Sequence, residues 1–348
     1  LPQYTQFAVW QREFLASEHI VAQVDYWKRT LAGRAPYLEV PPDRPRPKEF
    51  SFRGGSHSFL LSAGLSKQLN RFSRSSGATL YMTLLAIFKV MLARYTGEED
   101  ILVGSPIAGR RHADSEALIG LFVNTVVMRT QVSAGDDFHT CLRRVREVTL
   151  NALDNQDVPF ERLVEELNPP RDLSRNPVFQ IMFTLQNMSL PKLRLNNLEV
   201  SPVVLNREAA QVDLSLAMWE DEDQIHATFE YASDLYDKQT IEGFCVSFEQ
   251  LAIELTSQPH IAIGDARLVP DEKLLEFMSI FNDTAVEIAQ DVNVISMFRQ
   301  SVAARAGEIA VTDEAGSLTY AELDNLSTVL ARQLLSSGYS AGDLIAVC

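Results

Sequence analysis

Asn124 is the polar residue whose surroundings most need a chemical explanation, because its neighbours on both sides are mainly apolar. A buried amide costs about 1–3 kcal/mol unless it finds hydrogen-bond partners. Alternating residues predict a strand over 119–130, on which Phe122, Asn124 and Val126 share one face. The partner of the amide is therefore either the backbone or a substrate in a channel, and the residues alone leave both alternatives open.

Two further polar segments are typical of loops that cap or clamp other elements. In the first, Pro159 fits the opening turn of a helix, and Asp157 lies where a carboxylate offsets the positive end of the helix dipole. In the second, Arg171 and Arg175 precede a predicted strand, and either can hold a carboxylate through two hydrogen bonds. We assign both segments a structural role, through Gln156, Asp157, Pro159, Arg171, Ser174, Arg175 and Asn176.

Composition excludes several classes of protein. The chain has 348 residues, of which 46% are hydrophobic and 22% charged, so it can bury a large core. Its net charge of −15 argues against nucleic acid or an anionic membrane as the main partner. The three cysteines fit no metal motif and no disulfide framework, so we predict no metal site. Without a visible signal peptide or an uncharged stretch of about 20 residues, we expect a cytoplasmic protein that contacts no membrane.

The polar segments are embedded in a succession of predicted helices and strands. An aromatic-rich helical pattern covers residues 7–31, and an extended proline-rich segment follows it. The helix predicted at 79–95 is apolar nearly all round, as expected of a buried helix. Further helices are predicted at 63–76, at 137–153 and after a cap at Asp237, and strands at 57–62, 100–106, 178–186, 198–205, 211–219 and 224–232. This mixture predicts an α/β or α+β fold.

A second unit is predicted to begin near residue 293, where a helix is followed by two short strands and another helix. Thr319 and Glu322, three residues apart, form a capping box at the start of that last helix. Gly338 lies just past its end. No glycine-rich phosphate loop occurs anywhere in the chain.

The order and spacing of these segments resemble the condensation domain of nonribosomal peptide synthetases, over about residues 1–270. IGLFVNTVVMRT (119–130) resembles that family's fifth core motif, NQDVPFERL (155–163) its sixth, and RDLSRNP (171–177) its seventh. YTQFAVWQREFL (4–15) resembles the fourth motif, and SPIAGR (105–110) fits the strand and turn between the fourth and fifth. Each motif alone is a weak signal, but this set in this order is specific.

The resemblance implies a fold and a division into domains. The fold would be an α/β (α+β) two-layer sandwich, like that of chloramphenicol acetyltransferase. Residues 1–60 would be the tail of the N-terminal lobe of the condensation domain, and residues 61–262 its C-terminal lobe. LTYAEL (318–323) resembles the first core motif of adenylation domains, so 263–292 would be a linker and 293–348 the truncated start of an adenylate-forming domain.

The resemblance also implies a reaction. In the intact enzyme, the amine of an acceptor aminoacyl thioester attacks the thioester carbonyl of a donor, and each is held on a phosphopantetheine arm. The implied partners are donor and acceptor peptidyl carrier proteins and the rest of the synthetase. The intact adenylation domain would use ATP and Mg, whereas we expect this chain to bind no cofactor. The C-terminal lobe would supply a channel wall, on which we place Asn124, Arg110 and Ser105.

This sequence departs from the family pattern in its histidines. The catalytic signature of the family is two adjacent histidines, three further residues and Asp-Gly, and it precedes the fourth motif. None of the six histidines here is adjacent to another. Because the chain starts at Leu1 without Met and ends in an apolar run at Cys348, we expect an internal piece whose catalytic motif lies before Leu1. We therefore expect this piece to be inactive by itself and unable to activate an amino acid with ATP.

Two functions of other classes compete with this reading. One is a free-standing acyltransferase of the same fold that uses a coenzyme A thioester, which the motifs between 119 and 177 and the appended LTYAEL argue against. The other is a non-catalytic docking protein for carrier proteins that has lost the histidines, and the missing Met favours truncation over such a loss. An epimerisation domain is disfavoured by NQDVPFE and by the adenylation-like segment that follows. The amino acids joined, the chirality of the donor and a heterocyclising variant stay open.

Overall fold

The structure is a computed structural model that describes residues 3–34, 37–111, 113–186, 208–221, 223–287, 292–314, 316–340 and 342–345. The strand predicted at 198–205 lies outside these residues. The chain divides into two compact units, Leu1–Leu274 and Leu275–Cys348. Each is described by itself.

The first unit contains helices and strands in alternation. Its helices are α1 (Tyr4–Phe14), α2 (Glu18–Leu31), α3 (Ala63–Ser75), α4 (Leu80–Thr96), α5 (Ala113–Glu116), α6 (Phe138–Asp154), α7 (Phe160–Leu167), α8 (Lys238–Ser257) and the start of α9 (Asp271–Phe281). Its strands are β1 (Gly54–Leu60), β2 (Asp100–Ile107), β3 (Asn124–Gln131), β4 (Ile181–Gln186), β5 (Leu214–Asp221) and β6 (Gln224–Ala232).

The six strands form one mixed sheet in the order β1-β6-β5-β4-β2-β3. β5 and β6 pair antiparallel, and β1 pairs antiparallel with the outer side of β6. β4 is parallel to β5 on one side and to β2 on the other, and β2 pairs antiparallel with β3. The centre of the sheet is therefore parallel, so the chain must cross over between its strands.

Helices cover one face of this sheet. Along β5, Leu214, Leu216 and Met218 are completely buried, and the residues between them are half-buried. Successive side chains of a strand point to opposite faces, so one face of β5 belongs to the core. Helices α3, α4, α6 and α8 pack on one another and on the strands from this side. The arrangement agrees with the predicted two-layer α/β sandwich.

Helix α4 forms the centre of the helical layer. All of its residues from Met82 to Leu92 are buried, as the apolar pattern predicts. The hydroxyl of Thr79 accepts a hydrogen bond from the Met82 N–H (3.2 Å) at the start of the helix. Gly97, with φ at +71°, ends it in the left-handed conformation that glycine adopts most readily.

Lys89 is the charged residue in the middle of α4, and it is completely buried. Its Nζ donates to the carbonyl oxygen of Met128 (2.6 Å) and to the hydroxyl of Thr130 (2.7 Å), both on β3. Burial lowers the pKa of Lys89 to about 7, because the charged form loses its hydration inside the core. The lysine thus joins the helical layer to the edge of the sheet.

Three strands begin later than the sequence pattern predicts, and β5 does so at Leu214, three residues after the predicted position 211. β4 begins at Ile181, because the side-chain oxygen of Asn176 accepts the N–H groups of Val178 (3.2 Å) and Phe179 (3.4 Å). Those two N–H groups therefore end a turn and do not join the sheet. β3 begins at Asn124, because the residues before it pack beneath α1, as described below.

The second unit holds a helix, a hairpin and a second helix. They are α10 (Val294–Arg305), β7 (Ile309–Asp313), β8 (Gly316–Thr319) and α11 (Tyr320–Ser336), and β7 pairs antiparallel with β8. The predicted capping box is confirmed: the Thr319 hydroxyl accepts the Glu322 N–H (3.3 Å), and the Glu322 carboxylate accepts the Thr319 N–H (2.8 Å). Among the described residues of these four elements, none is buried.

None of the described helices is by itself long and apolar enough to cross a membrane. Only α3 and α4 together have that length and apolarity, and they are bent by 107° at the break between them.

Candidate functional site

Asn124, the first residue of β3, holds the loop that leads into α7. Its Nδ2 donates to the carbonyl oxygens of Gln156 (2.9 Å) and Val158 (2.8 Å). Its Oδ1 accepts the N–H groups of Thr125 (2.8 Å) and Phe160 (3.0 Å), and the second of these is one of the free N–H groups at the start of α7. In this structure the amide is therefore satisfied by backbone, and it connects the segments that resemble the fifth and sixth motifs.

Asp157 lies in the same loop and connects it to helix α2. Gln23 is 2% exposed and meets Asp157 twice: its Oε1 accepts the Asp157 N–H (3.0 Å), and its Nε2 donates to Oδ2 (2.9 Å). Arg111 donates to the same oxygen (2.7 Å), and the His19 ring lies 3.5 Å from it. Burial raises the pKa of Asp157, but the hydrogen bonds from Gln23 and Arg111 outweigh burial and the pKa is lowered.

The effect of Asp157 on the helix dipole stays a prediction, because the contacts of its carboxylate are with other elements. Helix α7 begins at Phe160, and Pro159 occupies its N-cap position, one residue earlier than predicted. The Asp157 carboxylate is used by Gln23 and Arg111, which lie on other elements. Gln156 donates through its side chain to the carbonyl oxygen of Leu153, at the end of α6. The loop is therefore held from both sides.

Gly109 and Arg110 hold the turn after β2 against the segment that precedes β3. Gly109 has φ at +63°, and a Cβ atom there would lie 1.9 Å from the carbonyl oxygen of Phe122, so only glycine fits. The Arg110 guanidinium lies over the Phe122 ring, 4.1 Å from its centroid. It also donates to the carbonyl oxygen of Ser115. Gly109 and Arg110 thus both contact protein atoms, and the cation–π contact of Arg110 adds to the packing.

Helix α1 lies on residues 119–123, the segment that precedes β3. The Tyr4 hydroxyl donates to the carbonyl oxygen of Leu121 (2.9 Å), and its ring lies where a Cβ atom of Gly120 would be, at 2.1 Å. The rings of Tyr4 and Phe7 pack on Phe122, with centroids 5.4 and 4.5 Å away. The segment resembling the fourth motif thus contacts the one resembling the fifth. This packing explains why residues 119–123 do not join the sheet.

An apolar strip accompanies this contact. Ile119, Leu121 and Val123 alternate with the packed residues of the same segment, and their side chains are 97%, 74% and 60% exposed. Single exposed apolar residues are ordinary on a protein surface, but three on one short segment mark a surface that favours contact with another group. One cluster with an apolar outer edge therefore consists of α1, the turn at 109–110, the segment 119–124 and the loop 155–160.

Comparison with known proteins shows the family to which the chain with this cluster belongs. The sequence profile described as "Condensation domain" matches residues 1–276. The chain belongs to the condensation domain family. Linear gramicidin synthase subunits B and C of Brevibacillus parabrevis are 39% and 37% identical to it over 348 residues, which is 99% of this chain but 7% and 4% of those subunits.

A solved structure of a synthetase shares this fold. A crystal structure of a four-domain nonribosomal peptide synthetase bound to AMP and glycine superposes on 94% of this chain and 26% of that one, with a TM-score of 0.79. At 23% identity this shows a common fold. This chain therefore has a condensation-domain fold and spans a small part of the length of the synthetases that it matches.

The 171–177 loop of the condensation domain clamps the proline-rich segment to the sheet. Arg46, in that segment, holds the buried Asp213 with two hydrogen bonds, one of them between Nη1 and Oδ1 (3.0 Å). It also donates to the carbonyl oxygen of Ser174 (3.2 Å). Burial by itself lowers the pKa of Arg46, but the hydrogen bonds with Asp213 outweigh it and raise the pKa. The bidentate grip predicted for Arg171 or Arg175 thus belongs to Arg46.

The other predicted residues of this loop have local roles. The Arg175 guanidinium lies over the Tyr37 ring, 4.2 Å from its centroid, and 3.4 Å from the carboxylate of Glu39. The backbone oxygen of Asn176 accepts the side chain of Gln180 (3.0 Å). Arg171 is exposed. Asp237 occupies the predicted N-cap position of α8, but its carboxylate pairs with Arg44 and does not cap the helix.

Ser105 lies inside the fold. It is 1% exposed, and its hydroxyl donates to the carbonyl oxygen of Phe183 on β4 (2.9 Å) and accepts from the hydroxyl of Tyr81 on α4 (2.8 Å). Burial raises the pKa of Tyr81 to about 12. Ser105 therefore joins two strands and a helix, and its hydroxyl is directed to protein atoms.

Sequence reasoning missed several residues that hold the site together. The sequence pattern does not single out Gln23, Arg46 or Asp213, and it gives no partner to Arg129, which lies in the segment that resembles the fifth motif. Arg129 donates to the carbonyl oxygens of Thr30 (2.8 Å) and Ala32 (2.7 Å) at the end of α2. A signal existed for Asp213, because it is a charge between Val212 and Leu214, which are both buried. Within the described ranges, no group of three or more His, Cys, Asp or Glu side chains is arranged to hold a metal ion.

Proposed function

We propose that this chain is part of a nonribosomal peptide synthetase and that its first unit belongs to a condensation domain that joins two carrier-bound thioesters by a peptide bond. The observation that carries the proposal is the contact cluster of the fourth, fifth and sixth motif segments, which Asn124 and Tyr4 hold together. The match of residues 1–276 to the family and the likeness to gramicidin synthase subunits support it. Donor and acceptor peptidyl carrier proteins would be the partners.

We propose that the cluster is one wall of the substrate channel. The exposed Ile119, Leu121 and Val123 would border the channel, where the apolar part of a pantetheine arm or an aminoacyl side chain passes. Asn124 and Arg110 would shape this wall from behind, since their polar groups are directed to protein atoms. Direct contact of substrate with Asn124, Arg110 or Ser105 stays a prediction.

We propose that the second unit is the start of an adenylation domain, which when intact would bind ATP and Mg. The family profile ends at residue 276, whereas the likeness to the gramicidin synthase subunits extends over 99% of this chain. The Thr319–Glu322 capping box begins α11 in the segment that resembles an adenylation motif. No described residue on its helices is buried, which supports a unit that further chain would cover.

We propose that the catalytic histidines come from residues outside this chain. The condensation signature needs two adjacent histidines, and the six histidines here include no such pair. An imidazole suits proton transfer from an attacking amine because its pKa lies near neutral pH. The residues described here would then bind and orient substrate and would not exchange its proton.

The experiment compares two proteins: this chain alone, and the same chain preceded by the upstream condensation residues of its synthetase. Each is given one carrier protein loaded with a donor aminoacyl group and one loaded with an acceptor, and the carriers are analysed by mass spectrometry. We expect a dipeptide on the acceptor carrier with the extended protein and none with the chain alone. Acyl transfer from a free coenzyme A thioester to a free amine would contradict the proposal and indicate a free-standing acyltransferase.

The adenylation proposal has its own test. The 348-residue chain is assayed for amino-acid-dependent exchange of pyrophosphate into ATP, with an intact adenylation domain as the positive control. We expect no exchange, because no phosphate-binding loop occurs in the sequence. Exchange above background would show that this chain is more than the start of such a domain.

A further inference from the structure

Helix α3 carries a row of positive charge on its exposed side. Lys67, Arg71 and Arg74 are exposed, and the helix contains no acidic residue. Residues three and four apart lie on the same side of a helix, so these three form a stripe about 10 Å long at 1.5 Å per residue. Among the residues that the structure describes, none forms an ion pair with them. We call Lys67, Arg71 and Arg74 the basic stripe.

The basic stripe is unfavourable within its own helix and unexpected in a chain with an excess of acidic residues. Like charges at these spacings destabilise a helix. The chain holds 46 acidic and 31 basic residues, so a purely basic face is not what its composition favours. Several other basic side chains on the surface do pair with acids, as Lys238 does with Glu242 (3.6 Å) and Lys28 with Glu166 (2.5 Å). The stripe is therefore available to an external negative charge.

Grooves flank the basic stripe on both sides. One, of about 690 Å³, lies between α3 and the adjoining ends of β5 and β6, where Glu220 and Asp223 line the opposite wall. The other, of about 490 Å³, lies towards the end of α8, at Thr256 and Ser257. The cations thus stand on a ridge between two depressions. A compact anion needs donors that converge on one point, whereas a linear ridge matches a second helix laid alongside.

We propose that the basic stripe docks an acidic helix, with carboxylates at positions i, i+4 and i+7, from a neighbouring domain of the same synthetase. The charge of the stripe and its spacing determine the charge and spacing of the occupant. The synthetase subunits that the chain resembles are far longer than it, since it spans 4–7% of them. A tethered domain has a high effective concentration, so a few exposed ion pairs, each weak by itself, are enough to hold it.

The first experiment tests the geometry. Two labelled helical peptides of identical composition are titrated with the 348-residue chain and followed by fluorescence anisotropy. One peptide has its glutamates on one face at i, i+4 and i+7, and the other has them distributed around the helix. We expect the aligned peptide to bind about tenfold more tightly, as three exposed ion pairs allow. Equal binding would mean non-specific charge attraction and would overturn the proposal.

Matched variants locate the binding on α3. Reversing Arg71 and Arg74 to Glu should remove the preference for the aligned peptide. Reversing Arg143 and Arg146 to Glu on α6 introduces the same charges at the same spacing and should leave the preference intact. Glu220→Gln should tighten binding, because it removes a negative charge from the groove wall and keeps the acceptor for Asn70. All the arginines changed are exposed, and circular dichroism would confirm that both double variants stay folded.

The second experiment identifies the source of the helix. The intact synthetase is treated with a carbodiimide, which joins a lysine to a carboxylate in direct contact, and is then digested and sequenced by mass spectrometry. We expect a cross-link from Lys67 to an acidic residue of another domain in the same polypeptide. The Lys28–Glu166 and Lys238–Glu242 pairs serve as internal positive controls. If the controls cross-link and Lys67 does not, or joins only a separate protein, the proposal is wrong.

Discussion

The side chain of Asn124 makes four hydrogen bonds, all with backbone groups, and three of them reach the loop at 156–160. An amide is suited to this position because it donates two hydrogens and accepts two from a single planar group. A carboxylate would face two carbonyl oxygens with no hydrogen to give. Asn124 thus determines where the sixth motif lies relative to the fifth.

Replacing Asn124 with Ala should lower the free energy of unfolding by about 2–4 kcal/mol, because buried backbone groups lose their partners. Chemical denaturation monitored by circular dichroism measures the change. Asn151→Ala, at an exposed position of α6, is the control and should change stability by less than about 0.5 kcal/mol. Equal effects of the two substitutions would refute the role given to Asn124.

Lys89 predicts a dependence of stability on pH. Its pKa is about 7 in the folded state, and about 10.4 is usual for lysine in an unfolded chain. Between these values the unfolded chain binds a proton that the folded chain does not, so this group makes stability rise with pH, by up to about 1.4 kcal/mol per pH unit. Below about pH 7 the lysine is charged in both states and its contribution is constant.

The measurement is the free energy of unfolding of the wild type and of Lys89→Met from pH 6.5 to 10. The difference between the two proteins isolates Lys89, which matters because burial raises the pKa of both Cys141 and Cys245 to about 12 and gives the opposite slope. We expect the variant to lose the rise with pH. Lys238→Met, at an exposed site, should keep it. Parallel curves for the wild type and Lys89→Met would contradict the prediction.

At the scale of elements, the turn after β2 depends on the absence of a side chain at Gly109. Gly109→Ala should destabilise the protein by about 1–3 kcal/mol more than Gly77→Ala. Both glycines have φ near +60°, so both substitutions carry the backbone cost of about 1 kcal/mol. Only at Gly109 would the new methyl group meet another atom, the carbonyl oxygen of Phe122. Thermal denaturation of the two variants compares them directly, and similar melting temperatures would show that the turn can move away.

Elements whose determinants are local in sequence were predictable. The apolar pattern of α4 and the box formed by Thr319 and Glu322 need only residues within a few positions of one another, and both are confirmed. The late start of β3 was not predictable in this way. It depends on Tyr4, which lies 117 positions from the backbone oxygen that it binds.

In the candidate site, too, local features were predictable and contacts between distant residues were not. The sequence indicated that Asn124 needs partners and that the 171–177 loop holds a carboxylate. It did not indicate that the amide binds backbone, or that Arg46 supplies the grip on Asp213, 167 positions away. For Ser105 the motif predicted a channel wall, whereas the hydroxyl meets Phe183 on a strand that comes next to β2 only through the order of the sheet. The partner of a polar group is set by topology, which residue type and spacing do not encode.

At the scale of the molecule, the two units differ in how much they bury. The first unit has a continuous core, whereas the described residues of α10, α11 and their hairpin are half-buried or exposed. Limited proteolysis of the 348-residue chain should therefore cut first within residues 275–348, since local opening is easiest where few apolar contacts oppose it. Mass spectrometry of the early products tests this. A first cut within α4 would contradict the assignment of the core.

The pairing of β1 with β6 has a consequence for synthesis on the ribosome. Ser58 on β1 bonds to Thr228 on β6, 170 positions later, and no other strand lies on the far side of β1 in the described sheet. At about 5–20 residues per second, β1 leaves the ribosome about 9 to 34 s before its neighbour exists. During that time it is an unpaired strand. Its sequence, Gly-Gly-Ser-His-Ser-Phe-Leu, is poor in the β-branched residues that promote aggregation. This composition suits a strand that stays unpaired for that time.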